Sequence, residues 1–342
     1  MAFYVLQLLM LPGMYIYWSI ALEVFDKTLC LPIYYARTRI MGETMEIGFI
    51  GIGQMGRHMS QRLLDAGYDL AVNDLRKEAA QHLLEKGAKW MDTPKSVAES
   101  CQFVLSSLPG PPEVEELVYG PSGLMAGWKK GDIYVDMSTN SPVTIRRVAV
   151  DAKSKGVEVL DAPVSGGTQG AKSGTLTIIV GGNAHSLQRV HKVLEPIGNK
   201  IFHVGDVGCG NIAKLVNNII YAGCNAITAE GLVLGVKAGV DVNKLWKVIT
   251  VSSGNNWCLE YQYPRTVFQN NFEPGFRINL ALKDIGLALA LGKEYGVPQP
   301  VATAVEQKFL DAKAAGLGDM AAPALILRLE EITGTQVRVQ NL

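Results

Sequence analysis

The segment GCGNIAKLVNN, residues 208–218, holds a lysine and an asparagine four residues apart, Lys214 and Asn218. On a helix that spacing puts both side chains on one face. Ile212, Ala213, Leu215 and Val216 around them are apolar. A lysine among such neighbours loses hydration, its pKa falls towards neutrality, and its amine can take up or return a proton. Asn218 is suited to orienting a substrate or the ammonium. The plainer alternative is a lysine whose stem lies on apolar surface while its amine reaches water.

Two further stretches carry unusual chemistry. DAPVSGGTQGAKSGTL, residues 161–176, is too rich in glycine and small polar residues for a simple crossover. The N–H groups of Ser165, Gly166 and Gly167, with the Ser165 hydroxyl, could cup a carboxylate ahead of a short helix; a flexible loop is the alternative. INLALKDIGLALALGKEYGVPQP, residues 278–300, sets Lys283 and Asp284 inside an apolar helical run. Charges in such a run pair with each other or face a cleft.

A candidate phosphate-binding turn lies near residue 50, with an ordinary tight strand–helix turn as the alternative. GFIGIGQMG, residues 48–56, contains Gly51, Ile52, Gly53, Gln54, Met55 and Gly56 between a candidate strand and a candidate helix. Gly51 permits the tight turn, Gly53 lets backbone approach a pyrophosphate, and Gly56 lets helix lie close to sheet. The helix N-terminus adds free N–H groups and a positive dipole end. Asp74, at the end of the next candidate strand, is placed to accept from both ribose hydroxyls of NAD and to repel the 2′-phosphate of NADP. Arg76 could pair with that phosphate or simply be solvated. NAD is therefore favoured, with NADP the alternative. Leu108-Pro109-Gly110 and Ser138-Thr139 close two later strands, and turns at the carboxyl ends of parallel strands border the ligand.

These segments must be carried by a scaffold. Short apolar runs at 46–50, 69–73, 103–107, 132–136, 158–162, 176–181 and 200–204 alternate with helical stretches such as 55–65, 77–85, 142–153 and 184–194. Strand–helix alternation implies a doubly wound, mostly parallel Rossmann sheet covered on both faces. Residues 211–238 read as one long helix, with Gly223, Gly231 and Gly235 at sites of close packing, and helical stretches follow near 241–252, 278–295, 299–315 and 321–332. The expected organisation is an extension over 1–44, a dinucleotide-binding domain over 45–207, and an all-α substrate and oligomerisation domain over 208–335.

Composition narrows the function. Among 342 residues, 32 Lys+Arg balance 32 Asp+Glu, which gives no basic excess for nucleic acid. The five cysteines form no C-x-x-C pair, which suits free thiols in a reducing, cytoplasmic setting and no metal site. The histidines lack a matched carboxylate; His203 is read as structural. No G-x-S-x-G elbow or Walker A pattern is present. Met1 to Leu22 carries no Asp, Glu, Lys or Arg and is long enough to span a bilayer. Pro12 and Gly13 interrupt it, and the favoured reading is a dispensable leader or an upstream start rather than an anchor.

Four motifs in order, GFIGIGQMG, DAPVSGGTQGAKSGTL, GCGNIAKLVNN and LKDIGLAL, make the chain from about Met45 to Thr333 resemble the β-hydroxyacid dehydrogenase family. The resemblance implies a Rossmann domain, a long interdomain helix, and a helical domain that helps build homodimers or homotetramers. It implies reversible NAD(P)-dependent oxidation of a short hydroxyacid of the 3-hydroxyisobutyrate kind. By position Lys214 matches the family's catalytic lysine. Ser165, Gly166, Gly167 and Asn218 match its substrate-holding groups. Leu108, Pro109, Thr139 and Lys283 match cofactor contacts. SSGNNW, residues 252–257, looks like a substrate-pocket segment, and Glu113 stands where such enzymes often carry asparagine. Alternatives are a tartronate or succinic semialdehyde reductase using NADPH, or an inactive dinucleotide-binding scaffold.

Overall fold

The computed structural model describes residues 46–339; the expectations for 1–44 lie outside the described residues. Nine strands form one sheet: β1 (Glu46–Ile50), β2 (Asp69–Asn73), β3 (Lys89–Trp90), β4 (Phe103–Ser106), β5 (Ile133–Asp136), β6 (Glu158–Asp161), β7 (Val164–Ser165), β8 (Thr177–Gly181) and β9 (Lys200–Gly205). The order β3-β2-β1-β4-β5-β6 is parallel throughout. Beyond it β8 runs antiparallel to β6 and β7 and pairs in parallel with β9.

Alternation along the strands explains why both faces are covered. Ile47, Phe49, Leu70, Val72, Phe103, Leu105, Ile133 and Val135 enter one core, where Met59, Leu63 and Leu83 pack. Ile50, Ala71, Val104 and Tyr134 enter the other, with Val97, Val114, Ile145 and Val148. Successive side chains of a strand point to opposite faces, so a strand apolar at every position needs helices on both sides. Among the helices that supply them are α1 (Gly56–Asp65), α2 (Pro111–Tyr119), α3 (Pro142–Lys153), α4 (Gly167–Ser173) and α5 (Ala184–Leu194).

From α6 (Cys209–Lys237) the chain is helical, with α7 (Val242–Thr250), α8 (Ile278–Glu294), α9 (Pro300–Ala312) and α10 (Ile326–Thr333). α6 is the axle: it packs on β8 and β9 at its start and on α8, α9 and α10 further along. A third core, including Tyr263, Phe268, Ile278 and Phe309, fills this part.

The structure refines several expectations. The 77–85 stretch is a 3-10 turn followed by one α-helical turn, Gln81–Leu84. The 299–315 helix ends at Ala312 and continues as a π-turn to Leu317, broken where Gly316 takes a φ of +84°. Of the glycines expected at packing sites in α6, Gly235 alone is closely packed: a Cβ there would lie 2.5 Å from Leu245, whereas Gly223 and Gly231 face open space.

Candidate active site

The first component is backbone. β1 and β4 are adjacent strands whose connections leave in opposite directions along the sheet, the switch point where an open sheet leaves a crevice. Gly51 follows β1 with a φ of +90°, and a Cβ there would lie 2.4 Å from the Ser107 carbonyl oxygen. At Gly56 a Cβ would sit 1.8 Å from Gly51 O, while Gly53 faces open space. The N–H groups of Gly53, Gln54 and Met55 find no acceptor among the described residues. An open glycine beside free N–H groups at a helix start fits a pyrophosphate.

Asp74 ties this turn to β2. One carboxylate oxygen accepts from Ile52 N at 2.7 Å and the other from Arg76 N at 2.9 Å. Two carboxylate oxygens offer about four acceptor positions, so capacity remains for ribose hydroxyls. Arg76 itself is exposed.

The second component is the helical wall. Lys214 projects from the second turn of α6 and is 9% exposed. Its amine has no hydrogen bond or ion pair among the described residues. Burial lowers its pKa to about 8; Asp284 pulls upward and Lys283 downward. Asn218, one turn on, donates to Asp284 Oδ2 at 2.6 Å and accepts from Asn217 at 3.0 Å. The amide is thus held on both sides rather than free to swing.

Lys283 and Asp284 pair with each other. Lys283 Nζ lies 2.9 Å from Asp284 Oδ1 and donates to the Thr139 carbonyl at 2.6 Å. Its stem passes over Gly110, where a Cβ would approach Lys283 Cδ to 3.0 Å. The pair therefore bridges α8 to the turns after β4 and β5. Leu108 closes the ring: its N–H donates to Ser138 Oγ at 2.9 Å, and its side chain abuts Gly51. Pro109 lies in the same turn, between β4 and α2. Gly51, Leu108, Gly110, Thr139 and Lys283 thus form one continuous contact set, and Asp284 links it to Asn218.

Ser165, Gly166 and Gly167 lie on the antiparallel flank, where Ser165 pairs with Thr177 in β8. Gly166 and Gly167 have φ of +130° and +63°, which turn the chain into α4. Gly167 faces open space, and α4 rests on α1. No hydrogen bond joins these three residues to Lys214 or Asn218 among the described residues. Trp257 of the 252–257 segment packs on Tyr221, ring centres 6.0 Å apart. Tyr221 is seven residues beyond Lys214, about 10 Å along the helix. Glu113 is exposed in the first turn of α2. His203 contacts the Gly182 carbonyl at 2.7 Å, a structural use.

Sequence reasoning passed over Asp136, Asn140, Asp161 and Asn211, all fully buried. Asp136 and Asp161 end strands β5 and β6. An acidic residue at the end of an apolar strand was the available signal.

Known families match both the sheet part and the helical part of the chain. Residues 46–205 match the family model described as the NAD binding domain of 6-phosphogluconate dehydrogenase, and residues 208–329 the one described as NAD-binding of NADP-dependent 3-hydroxyisobutyrate dehydrogenase. The chain is 39% identical to 2-(hydroxymethyl)glutarate dehydrogenase of Eubacterium barkeri over 87% of its own length and 99% of that protein. It is 41% identical to 3-hydroxyisobutyrate dehydrogenase of Pseudomonas aeruginosa, over 77% and 91%. A solved 3-hydroxyisobutyrate dehydrogenase from Mycobacterium tuberculosis, with L-serine, superposes with a TM-score of 0.78 at 32% identity, covering 84% of this chain and 99% of that one. The chain belongs to the β-hydroxyacid dehydrogenase family, NAD(P)-dependent oxidoreductases that act on the CH–OH group of hydroxyacids.

Proposed function

We propose that this chain interconverts a short 3-hydroxyacid and its semialdehyde, with Lys214 as the proton-transfer group and NAD as the favoured cofactor. The observation that carries the reading is the Lys214 amine: buried, unpartnered and with a pKa lowered to about 8. An amine that ionises near the working pH can serve as base in one direction and acid in the other.

A bound nicotinamide supplies the hydride acceptor or donor. Lys214 takes the hydroxyl proton of the substrate in oxidation and returns a proton to the carbonyl oxygen in reduction. Asn218, fixed by Asp284 and Asn217, holds the substrate on the same helix face. The Ser165–Gly167 turn supplies N–H groups for the substrate carboxylate. Orientation by such fixed groups lowers the barrier by removing freedom before the step. Gly51 to Gly56 and Asp74 hold the pyrophosphate and ribose, while Leu108, Pro109, Thr139 and Lys283 line the nicotinamide side. Arg76 beside Asp74 favours a second reading, an NADPH-linked reductase of tartronate or succinic semialdehyde.

The substrate to try first is 3-hydroxyisobutyrate, in view of the relatives above; L-serine and 2-(hydroxymethyl)glutarate complete the panel. Turnover with NAD and NADP is measured for wild type and Lys214→Ala. Oxidation of at least one hydroxyacid, lost in the variant, is expected. Equal rates in the two proteins contradict the assignment.

A homo-oligomer fits the outer face of α6, where Ile220, Ile227 and Leu234 are 61%, 63% and 71% exposed. Solvent-facing apolar side chains in a row mark an interface. Sedimentation of wild type and Ile227→Glu tests it, with a dimer or tetramer expected to dissociate in the variant. Cytoplasmic residence is proposed as well, since Cys101, Cys209, Cys224 and Cys258 are unpaired; fractionation of expressing cells tests that.

A further inference from the structure

Two buried carboxylates at the top of the sheet have no cationic partner among the described residues. Asp136 accepts from Ser106 Oγ at 3.2 Å, Ser138 N at 3.0 Å and Asn140 Nδ2 at 2.9 Å. Asp161 accepts from Gly208 N at 2.7 Å and from Asn211 through N at 2.7 Å and Nδ2 at 3.2 Å. The two halves meet where Asn140 N donates to Asn211 Oδ1 at 2.7 Å. Asp136, Asn140, Asp161 and Asn211 are each 0% exposed, and no Lys or Arg pairs with either acid among the described residues. Burial pushes both acids up in pKa, and the neutral donors pull them back.

We propose that the Asp136–Asn140–Asn211–Asp161 network is a positioning device for the reaction, fixing the first turn of α6 against the ends of β5 and β6 so that Lys214 meets the nucleotide-side turns in one register. This rests on the proposed role of Lys214. Asn211 is one helical turn before Lys214, so a shift of its backbone is transmitted to that lysine. At the other end Ser138 donates its N–H to Asp136 and accepts from Leu108 N with its hydroxyl. Thr139, the next residue, gives its carbonyl to Lys283. One chain of bonds therefore runs from the Leu108 turn to the helix that carries Lys214.

The packing leaves little slack. A Cβ at Gly181 would lie 2.4 Å from Asp161 Oδ1, and one at Gly210 would lie 2.7 Å from the Asp161 carbonyl. A carboxylate accepting the first N–H groups of α6 also stabilises that helix start. Capping alone, however, requires only Asp161. The Asn140–Asn211 bond and the second acid tie the helix to a different strand, which sets its register. Buried polar groups with every donor matched favour one arrangement over its neighbours.

The test uses the full chain with Asn211→Ala and Asn140→Ala, beside wild type and Lys214→Ala. NADH binding is read by fluorescence, kcat and KM with the best hydroxyacid of the panel, and the Lys214 amine by ε-13C NMR titration without cofactor. The expected result is NADH affinity within about threefold of wild type and kcat down by about tenfold to a hundredfold. The Lys214 titration is expected to move up from about 8 towards the ordinary lysine range as the helix start loosens and the amine gains water. Variants that melt earlier yet keep wild-type kcat and the wild-type Lys214 titration overturn the proposal and leave the Lys214 assignment standing. If Lys214→Ala retains wild-type rates, the functional reading fails instead. Should Asn211→Ala not fold, Asn140→Ala decides, because it keeps the Asn140 N to Asn211 Oδ1 bond and the bonds to Asp161 and gives up only the side-chain bonds to Asp136 and from Ser141 N.

Discussion

The two ends of the proposed site are built from different materials. At the nucleotide end the ligand groups are backbone: glycines shaped so that N–H groups point outward, with one carboxylate, Asp74, bracing the turn. At the hydroxyl end they are side chains, an unpartnered lysine and an amide clamped by Asp284. Backbone sites tolerate almost no added volume and depend little on charge. Side-chain sites tolerate changes of shape but respond steeply to charge, because desolvation magnifies each interaction. The same crevice thus has a steric half and an electrostatic half.

The steric half is broken most sharply by Gly56→Ala. A Cβ 1.8 Å from Gly51 O cannot be housed without opening the turn. We expect NADH affinity to fall by about a hundredfold or more, or the domain to misfold, in fluorescence titration and circular dichroism. A variant that binds NADH normally would show the turn to be softer than its geometry implies.

Next in size is Asp284→Asn, which removes charge and keeps shape. Lys283 loses its counter-ion, and Lys214 loses the one neighbour that raises its pKa. We expect kcat to drop about tenfold to a hundredfold, a loss typical of an unpaired buried charge. The acidic limb of the oxidation profile should also move below pH 8. An unchanged limb would separate Asp284 from Lys214.

Asp74→Ser sits on the border, where a side chain serves the backbone site. Losing the carboxylate removes repulsion of a 2′-phosphate and leaves the exposed Arg76 side chain to pair with it. The NADPH-to-NADH ratio of kcat/KM should rise about tenfold to a hundredfold, the worth of one or two hydrogen bonds to a charged group. A constant ratio would assign cofactor choice elsewhere.

A last effect, read in stability rather than in rate or affinity, concerns the buried amine itself. Lys214 has a folded pKa of about 8 against an ordinary 10.5. Between those values the unfolded chain binds more protons, so stability rises with pH across that window; below it the buried amine is protonated at full cost. Lys214→Met should therefore stabilise the fold at pH 7 by up to about 3 kcal/mol, less whatever packing is lost, and the gain should vanish by about pH 10.5. Denaturant melts of both proteins at two pH values measure it. A destabilised variant at pH 7 would mean the amine is better solvated than its burial implies.

The contrast between the two halves also governs what could be read from the sequence. Gly51 to Gly56 and the strand EIGFI announce themselves because a tight turn and a pleat are local requirements met by neighbouring residues. The burial of Lys214 was legible from the apolar run it stands in, although of its four apolar sequence neighbours only Leu215 is itself buried and Val216 is exposed. That of Asp161 was not, since the donors that justify burying it, Gly208 and Asn211, stand about fifty residues further on. Asp136 takes Ser138 and Asn140 from its own turn, and it is Ser106 on the neighbouring strand that the sequence does not place beside it. For the same reason Gly223 and Gly231 misled: a glycine in a helix reads as a packing contact, but whether anything packs there is decided by the rest of the fold, and in this chain both face open space.

Lys214 as the proton-transfer group is tested most directly by the pH dependence of kcat/KM for hydroxyacid oxidation, in wild type and in Lys214→Ala. Oxidation needs the neutral amine, so the wild-type rate should rise through a single ionisation near pH 8 and level off above it. The residual rate of the variant should be far lower and lack that ionisation. An equally steep rise near pH 8 in Lys214→Ala would assign the proton to another group.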